Sequence, residues 1–176
     1  MRNPEEGERN LFKLRQLVRG ALAETRALLF ELRPSALAEF GLDVALKSLT
    51  QDMSEAAGLS TDYHIDLGER RLPFEVESTL YRIAQESLTN IVRHANAKHI
   101  YVELVTLPYA ICLRIDDDGI GFVPEEIIKD GDSRRLGLIG MQERVEMLDG
   151  LFEVHSGPNA GTSVRVRIPQ QLEGSS

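Results

Sequence analysis

The chain has 176 residues, of which 42% are hydrophobic and 27% charged, values typical of a soluble globular protein with one ordinary domain plus an appendage. A net charge of −8 argues against a nucleic-acid-binding protein. The single cysteine, Cys112, allows no disulfide within the chain, which agrees with a cytoplasmic location. No apolar run approaches the ~20 residues of a membrane span, so we expect this chain to make no membrane contact.

The first 34 residues carry the pattern of a bundle helix. Apolar residues recur from Leu11 to Leu32 at alternating spacings of three and four, and further leucines widen the apolar stripe. Pro34 should end or sharply bend this helix. Residues 1–34 are therefore predicted to be the second helix of an incomplete dimerisation bundle. The alternative is an amphipathic helix that docks on its own domain.

The next elements alternate between helical and extended patterns. Gly58 ends the first helix, Pro73 opens the long helix, and Pro108 with Tyr109 turns the chain between two strands. We predict a helix, a strand, a long helix and two further strands at residues 43–57, 61–67, 73–95, 100–104 and 110–117.

Three carboxylates and two glycines follow the last of these strands. Asp116, Asp117 and Asp118 are succeeded by Gly119 and Gly121, which permit a sharp turn and the approach of a flat ligand. A carboxylate beside such a gap can accept a hydrogen bond from an exocyclic amino group, which distinguishes adenine from guanine. The alternative is an acidic turn that binds a cation.

The remaining chain is predicted to contain a lid, a helix and two closing strands. Residues 123–136 have no clean period and are rich in charge, as is typical of a lid beside a site. A helix is expected at 141–148 with Gly150 as its cap, strands at 151–156 and 162–168, and a disordered tail at 170–176. The fold class is α+β, a two-layer sandwich in which helices cover one face of a mixed sheet. The catalytic domain is predicted to span residues 35–169.

Four polar side chains share one side of the long helix. Glu86, Asn90 and His94 are four residues apart, and Arg93 is three from Asn90. An Asn carbonyl can complete a Mg²⁺ shell that is otherwise made of phosphates and water, and Arg93 would add charge for the phosphates. The alternatives are a solvated polar face with a Glu–Asn hydrogen bond, and a packing role for His94.

Four blocks in this order resemble the conserved boxes of the gyrase/Hsp90/histidine-kinase/MutL ATPase superfamily. They are the helix segment "ESLTNIVRHA", the acidic turn "DDDGIGF", the segment "GLIGM" and the strand opening "GT". The wording "QESLTNIVRHANA" with "GLIGMQERVEMLDG" is similar to the sensor histidine-kinase branch that includes nitrate and membrane-fluidity sensors. The resemblance spans residues 11–169.

The resemblance implies a role for each matching residue. Asp117 would bind adenine, Thr162 would support it through water, and Gly161 would let the chain approach. Asn90 would hold Mg²⁺, and Glu86 would lie near the attacked phosphate, so these two are the candidate catalytic residues. The remaining candidates for ATP binding are Gly119, Gly121, Arg93, His94, Gly137, Leu138, Gly140 and Met141.

Gly137 and Gly140 are expected to precede a helix, whose free N–H groups and dipole favour phosphate; the alternative is ordinary loop punctuation. Relatives often carry a glycine where this chain has Arg135. They also often carry a glycine earlier in the last block, which in this chain begins at Asn159 and lacks it.

The family's phosphoacceptor histidine is missing from its expected position. The four histidines, His64, His94, His99 and His155, all follow the bundle helix. We therefore expect a piece of a longer kinase, homodimeric in the intact parent, which transfers the γ-phosphoryl group of ATP to a histidine and then to a response regulator with a helix-turn-helix output domain. The alternatives are an anti-sigma serine kinase, a gyrase-like ATPase, or a nucleotide-binding or dimerisation module without turnover. Whether the parent is anchored in a membrane is left open.

Overall fold

The computed structural model describes residues 34–68, 71–123 and 133–170, with side chains from Leu37, Arg71 and Arg135 onward in the three ranges. The predicted bundle helix before Pro34 and the predicted disordered tail after Gln170 lie outside the described residues. Within the described ranges, no helix is long and apolar enough to cross a membrane.

Three helices and five strands make up the described part of the chain. Their order is α1 (Pro34–Ala57), β1 (Ser60–Asp66), α2 (Phe74–Asn90), a π-helical turn (Ile91–Ala95), β2 (His99–Leu107), β3 (Ala110–Asp117), α3 (Ser133–Glu146), β4 (Leu151–Ser156) and β5 (Thr162–Pro169).

The strands form one mixed sheet in the order β1-β2-β3-β5-β4. β1 and β2 run parallel, and every other neighbouring pair is antiparallel. Alternate residues such as Val102, Ile115 and Val164 face the helices and are buried, whereas Arg165 and Arg167 on β5 are exposed. This alternation confirms the predicted α+β sandwich with helices on one face of a mixed sheet.

Helix α1 is longer than predicted and is kinked at Gly41. Gly41 has φ 83° and ψ 172°, which are not helical values. The carbonyls of Leu37 and Ala38, just before the kink, accept hydrogen bonds from Arg71 Nη2 at 2.6 and 2.8 Å. Arg71 also pairs with the buried carboxylate of Glu77 at 3.5 Å. The side chain of Arg71 therefore supplies donors to carbonyls that the kink leaves without helical partners.

Helix α3 corrects the predicted boundary of the lid. The sequence pattern predicts an irregular segment at residues 123–136 and a helix that starts at Met141, but α3 begins at Ser133 and ends at Glu146. Residues 124–132 of the predicted lid lie outside the described residues. At the other end, Asp149 rather than Gly150 takes the left-handed conformation (φ 53°), and the N–H of Gly150 donates to the carbonyl of Val145 at 3.0 Å.

Candidate nucleotide-binding site

A largely apolar cavity lies between α2, α3 and the ends of β3 and β5. Its polar lining includes Asn90, His94, Asp117 and Thr162. Of the predicted site residues, the cavity brings together these four with Gly121, Leu138 and Met141. It does not include Glu86, Arg93, Gly119, Gly137, Gly140 or Gly161.

The register of the sheet places Asp117 beside Thr162. The two residues are directly paired across β3 and β5, and Thr162 in turn pairs with Ser156 on β4. On one face of an antiparallel pair, opposite Cβ atoms lie about 4.5–5.5 Å apart, close enough for short polar side chains to bond. The row shares its face with buried Ile100 of β2, so its polar groups point towards the helices.

Asp117 is a half-buried carboxylate that can accept a further hydrogen bond. Oδ1 accepts the N–H of Gly119 at 2.8 Å, and Thr162 lies directly opposite on β5. Burial raises the pKa of Asp117 above its usual value, against the opposing effect of the neighbouring donors of Gly119 and Thr162. A carboxylate has about four acceptor positions, so Asp117 can take a further donor from a ligand.

Asp118 has a different function from its neighbour. Its Oδ1 accepts the backbone N–H groups of Lys98 and His99 at 2.7 and 2.9 Å, and these bonds lower the pKa of Asp118. The carboxylate therefore fastens the start of β2 to the loop after β3. Asp116 faces the open side of the sheet, where it pairs with Arg114 at 2.6 Å.

The opposite wall of the cavity comes from the end of α2 and the π-helical turn. Asn90 lies close to Glu86, with 3.4 Å between Asn90 Nδ2 and Glu86 Oε1. The turn adds a residue to the helical repeat, and a one-residue insertion rotates the subsequent side chains about the helix axis by about 100°. Arg93 consequently lines a neighbouring depression with Lys98, and His94 lines both spaces. The predicted common face of Asn90, Arg93 and His94 is therefore divided.

Gly137 and Gly140 lie inside α3, so the prediction that they precede a helix is wrong. A Cβ on Gly137 would collide with Oε1 of Glu86, whereas a Cβ on Gly140 would meet only the end of Arg144 at 3.0 Å. Glycine at 137 thus lets α3 lie directly against the carboxylate of Glu86. Leu138 and Met141 of the same helix line the cavity.

Gly119 and Gly161 let the protein's own backbone segments approach one another. A Cβ on Gly119 would collide with the carbonyl oxygen of Ala95, and one on Gly161 would collide with the carbonyl oxygen of Asp117. The N–H of Ile120 donates to that same Ala95 carbonyl at 2.8 Å, and the N–H of Gly161 donates to Gly119 O at 3.0 Å. These two glycines therefore support the cavity without lining it.

Sequence reasoning missed three polar or aromatic contributors, Ser87, Phe122 and Ser156. Ser87 and Phe122 line the cavity, and the Ser87 hydroxyl lies 3.7 Å from Sδ of buried Met141. Ser156 stands at the end of a correctly predicted strand, and its pairing with Thr162 was the available signal. No group of three or more His, Cys, Asp or Glu side chains in the described part of the chain is placed to hold a metal ion.

The sequence profile of the histidine kinase-, DNA gyrase B- and HSP90-like ATPases matches residues 75–172, more than half of the chain. The chain belongs to this family. The match covers α2, the acidic turn, α3 and the closing strands, which include every segment that lines the cavity.

Two curated histidine kinases are similar over most of the chain. The histidine-protein kinase/phosphatase DegS of Brevibacillus brevis is 37% identical over 170 residues, covering 96% of this chain and 43% of the relative. The oxygen sensor histidine kinase NreB of Staphylococcus carnosus is 34% identical over 83% of the chain and 41% of its own length. The chain therefore spans less than half the length of these curated relatives.

A solved histidine kinase domain has the same fold as this chain. The histidine kinase domain of the Erythrobacter litoralis EL346 blue-light activated kinase superposes with a TM-score of 0.56 at 22% identity, covering 73% of this chain and 60% of that chain. At this identity the likeness concerns the fold alone.

Proposed function

We propose that this chain is the ATP-binding catalytic domain of a sensor histidine kinase. In the intact kinase it would present the γ-phosphoryl group of ATP to a histidine on another segment, from which the group passes to a response regulator. The observation that carries the proposal is the paired Asp117 and Thr162 on one wall of an apolar cavity, with Asn90 and His94 on the facing wall. Family membership and the kinase relatives support it.

Adenine would occupy the apolar part of the cavity. Leu138, Met141 and Val164 offer apolar surface to a purine ring, while the remaining acceptor position of Asp117 would take its exocyclic amino group. Guanine carries a carbonyl oxygen at the corresponding position, and two acceptors would then face each other. The arrangement should therefore select adenine over guanine.

Asn90 would hold Mg²⁺ together with the phosphates. Mg²⁺ usually takes one or two protein oxygens and completes its octahedral shell with phosphate oxygens and water, so a single amide oxygen fits this donor set. Arg93 and Lys98 border the adjoining depression, which His94 joins to the adenine cavity, and their charges would favour a triphosphate there. Bound Mg²⁺ would neutralise charge on the transferred phosphoryl group.

The test is calorimetric titration of the chain with ADP and ATP, with and without Mg²⁺, and with GTP as the competing purine. We expect adenine-selective binding that Mg²⁺ strengthens. Asn90→Ala should remove the Mg²⁺ effect and leave Mg²⁺-free ADP binding close to wild type. Equal affinity for GTP, or an unchanged Mg²⁺ effect in Asn90→Ala, would contradict the proposed site.

Phosphoryl transfer is tested separately in trans. The chain is mixed with a histidine-bearing helical segment of a sensor kinase, Mg²⁺ and γ-labelled ATP. Acid-labile label on the helical segment then measures phosphoryl transfer to the histidine. Label that requires this chain would support the kinase. Adenine-selective binding without any transfer would favour a nucleotide-binding module without turnover.

A further inference from the structure

Ser156 holds together the three segments that surround Asp117. Its hydroxyl donates to the carbonyl of Gly161 at 2.8 Å and accepts the N–H of Phe122 at 2.9 Å. Its Oγ also lies 3.1 Å from Oγ1 of Thr162. The hydroxyl thus joins the end of β4, the loop after the acidic turn and the start of β5.

The sheet register places Ser156 at the end of a polar row. Asp117, Thr162 and Ser156 are direct cross-strand partners on β3, β5 and β4, and all three face the helices. Thr162, Asp117 and Phe122 line the cavity, whereas Ser156 does not. Any effect of Ser156 on a ligand would therefore be transmitted through Thr162 and Phe122.

Counting protons shows which bonds Ser156 can determine. Each hydroxyl has a single proton, and Ser156 gives its own to the carbonyl of Gly161. Thr162 must then be the donor across the 3.1 Å contact, so Ser156 Oγ accepts from both Thr162 and Phe122. Without Ser156, the Thr162 hydroxyl loses the neighbour that restricts its rotation, and the N–H of Phe122 loses its acceptor.

We infer that Ser156 is a positioning residue of the nucleotide site, which holds the Thr162 hydroxyl proton away from Asp117 and so keeps the Asp117 carboxylate free to accept the adenine amino group. This inference rests on the proposed adenine site. Ser156 would act on adenine recognition without touching the nucleotide. The phosphates and Mg²⁺ on the Asn90 side of the cavity should be unaffected.

The experiment compares Ser156→Ala with Ser156→Thr, which keeps the hydroxyl, in the full chain. The matched control is Ser163→Ala, because the Ser163 hydroxyl lies on the open face of the sheet, where it accepts a bond from Arg165 Nε at 3.2 Å. ADP affinity is measured by calorimetry. Ser156→Ala should bind ADP about tenfold more weakly, since the freed Thr162 hydroxyl then competes with the adenine amino group for Asp117 at the cost of about one net hydrogen bond, while Ser156→Thr and Ser163→Ala should bind like wild type.

A second measurement follows the Asp117 carboxyl directly by ¹³C NMR titration without nucleotide. Without Ser156 the Thr162 hydroxyl is free to donate to the carboxylate, which should lower the pKa of Asp117 in Ser156→Ala, and Ser156→Thr should restore it. This measurement decides the role of Ser156 even if wild-type protein binds no ADP, a result that would overturn only the proposed function. Should Ser156→Ala fail to fold, Ser156→Cys keeps the size of the side chain with a weaker donor and gives the same comparison.

The inference would be overturned if Ser156→Ala matched Ser163→Ala in both ADP affinity and the Asp117 titration. A lower unfolding midpoint in Ser156→Ala with both of those properties unchanged would also overturn it, because Ser156 would then support only the fold.

Discussion

Gly161→Ala should destabilise the protein through two separable effects. Gly161 has φ 68°, and a left-handed alanine costs about 1–2 kcal/mol. The new Cβ would also collide with the carbonyl oxygen of Asp117 and lie 3.3 Å from Cα of Asp118. Both neighbours are backbone atoms, which cannot rotate away, so overpacking adds about 1–3 kcal/mol. The expected loss in free energy of unfolding is therefore about 2–5 kcal/mol.

Gly58→Ala is the matched control for this substitution. Gly58 has φ 69°, nearly the same conformation, but no atom lies within 4 Å of the position its Cβ would take. Its expected loss is only the conformational cost, about 1–2 kcal/mol. Urea unfolding followed by circular dichroism measures both losses, and calorimetry should show weaker ADP binding only in Gly161→Ala. Equal losses in the two variants would refute the argument that Gly161 is required by close packing against Asp117.

Three further predictions concern the acidic turn and α3. Because burial raises the pKa of Asp117 above 3.8, the contribution of Asp117 to stability declines as pH rises through the folded pKa. Asp117→Asn should remove this decline in the free energy of unfolding measured by urea titration. The same substitution should weaken ADP binding. The pKa of Asp118 is lowered, so its stabilisation is present above 3.8 and is lost as pH falls through the folded pKa. Asp118→Asn should therefore lower the free energy of unfolding at pH 7. These assignments would be contradicted if Asp117→Asn destabilised the protein at pH 7 more than Asp118→Asn does. Gly137→Ala and its control Gly140→Ala should both gain helix propensity, about 1 kcal/mol each. Only Gly137→Ala should speed hydrogen exchange in α3, because its Cβ displaces Glu86. Equal exchange rates in the two variants would contradict the contact between Gly137 and Glu86.

The sheet could be predicted closely because hydrophobic alternation specifies its strands. The strand ends at Asp117 and Ser156 were predicted correctly, and Cys112 is half-buried on β3. Burial raises the pKa of the Cys112 thiol, which agrees with a structural residue rather than a nucleophile. Asp117 and Thr162 line one cavity, since each ends or begins a well-marked strand and the two are paired across the sheet.

The helix boundaries could not be predicted in the same way. Each glycine inside α3 costs about 1 kcal/mol relative to alanine, so local propensity favoured a loop at Gly137 and Gly140. The contact of α3 with Glu86 is a tertiary effect that no local pattern reveals. The π-helical turn that separates Arg93 from Asn90 likewise has no marker in its composition.

The cavity is assembled from residues that are far apart along the chain. Its lining runs from Ser87 on α2 to Val164 on β5. Strand β5 lies between β3 and β4 in the sheet, although both of these precede it in the chain. Pairings over such separations form slowly, because the entropy of closing the intervening loops must be lost before the contacts are gained. Nucleotide binding should therefore appear only in the last phase of refolding. A chain that ends before β5 should lack the site even where α2 and β2 have formed, so a fluorescent ADP analogue would report completion of the fold.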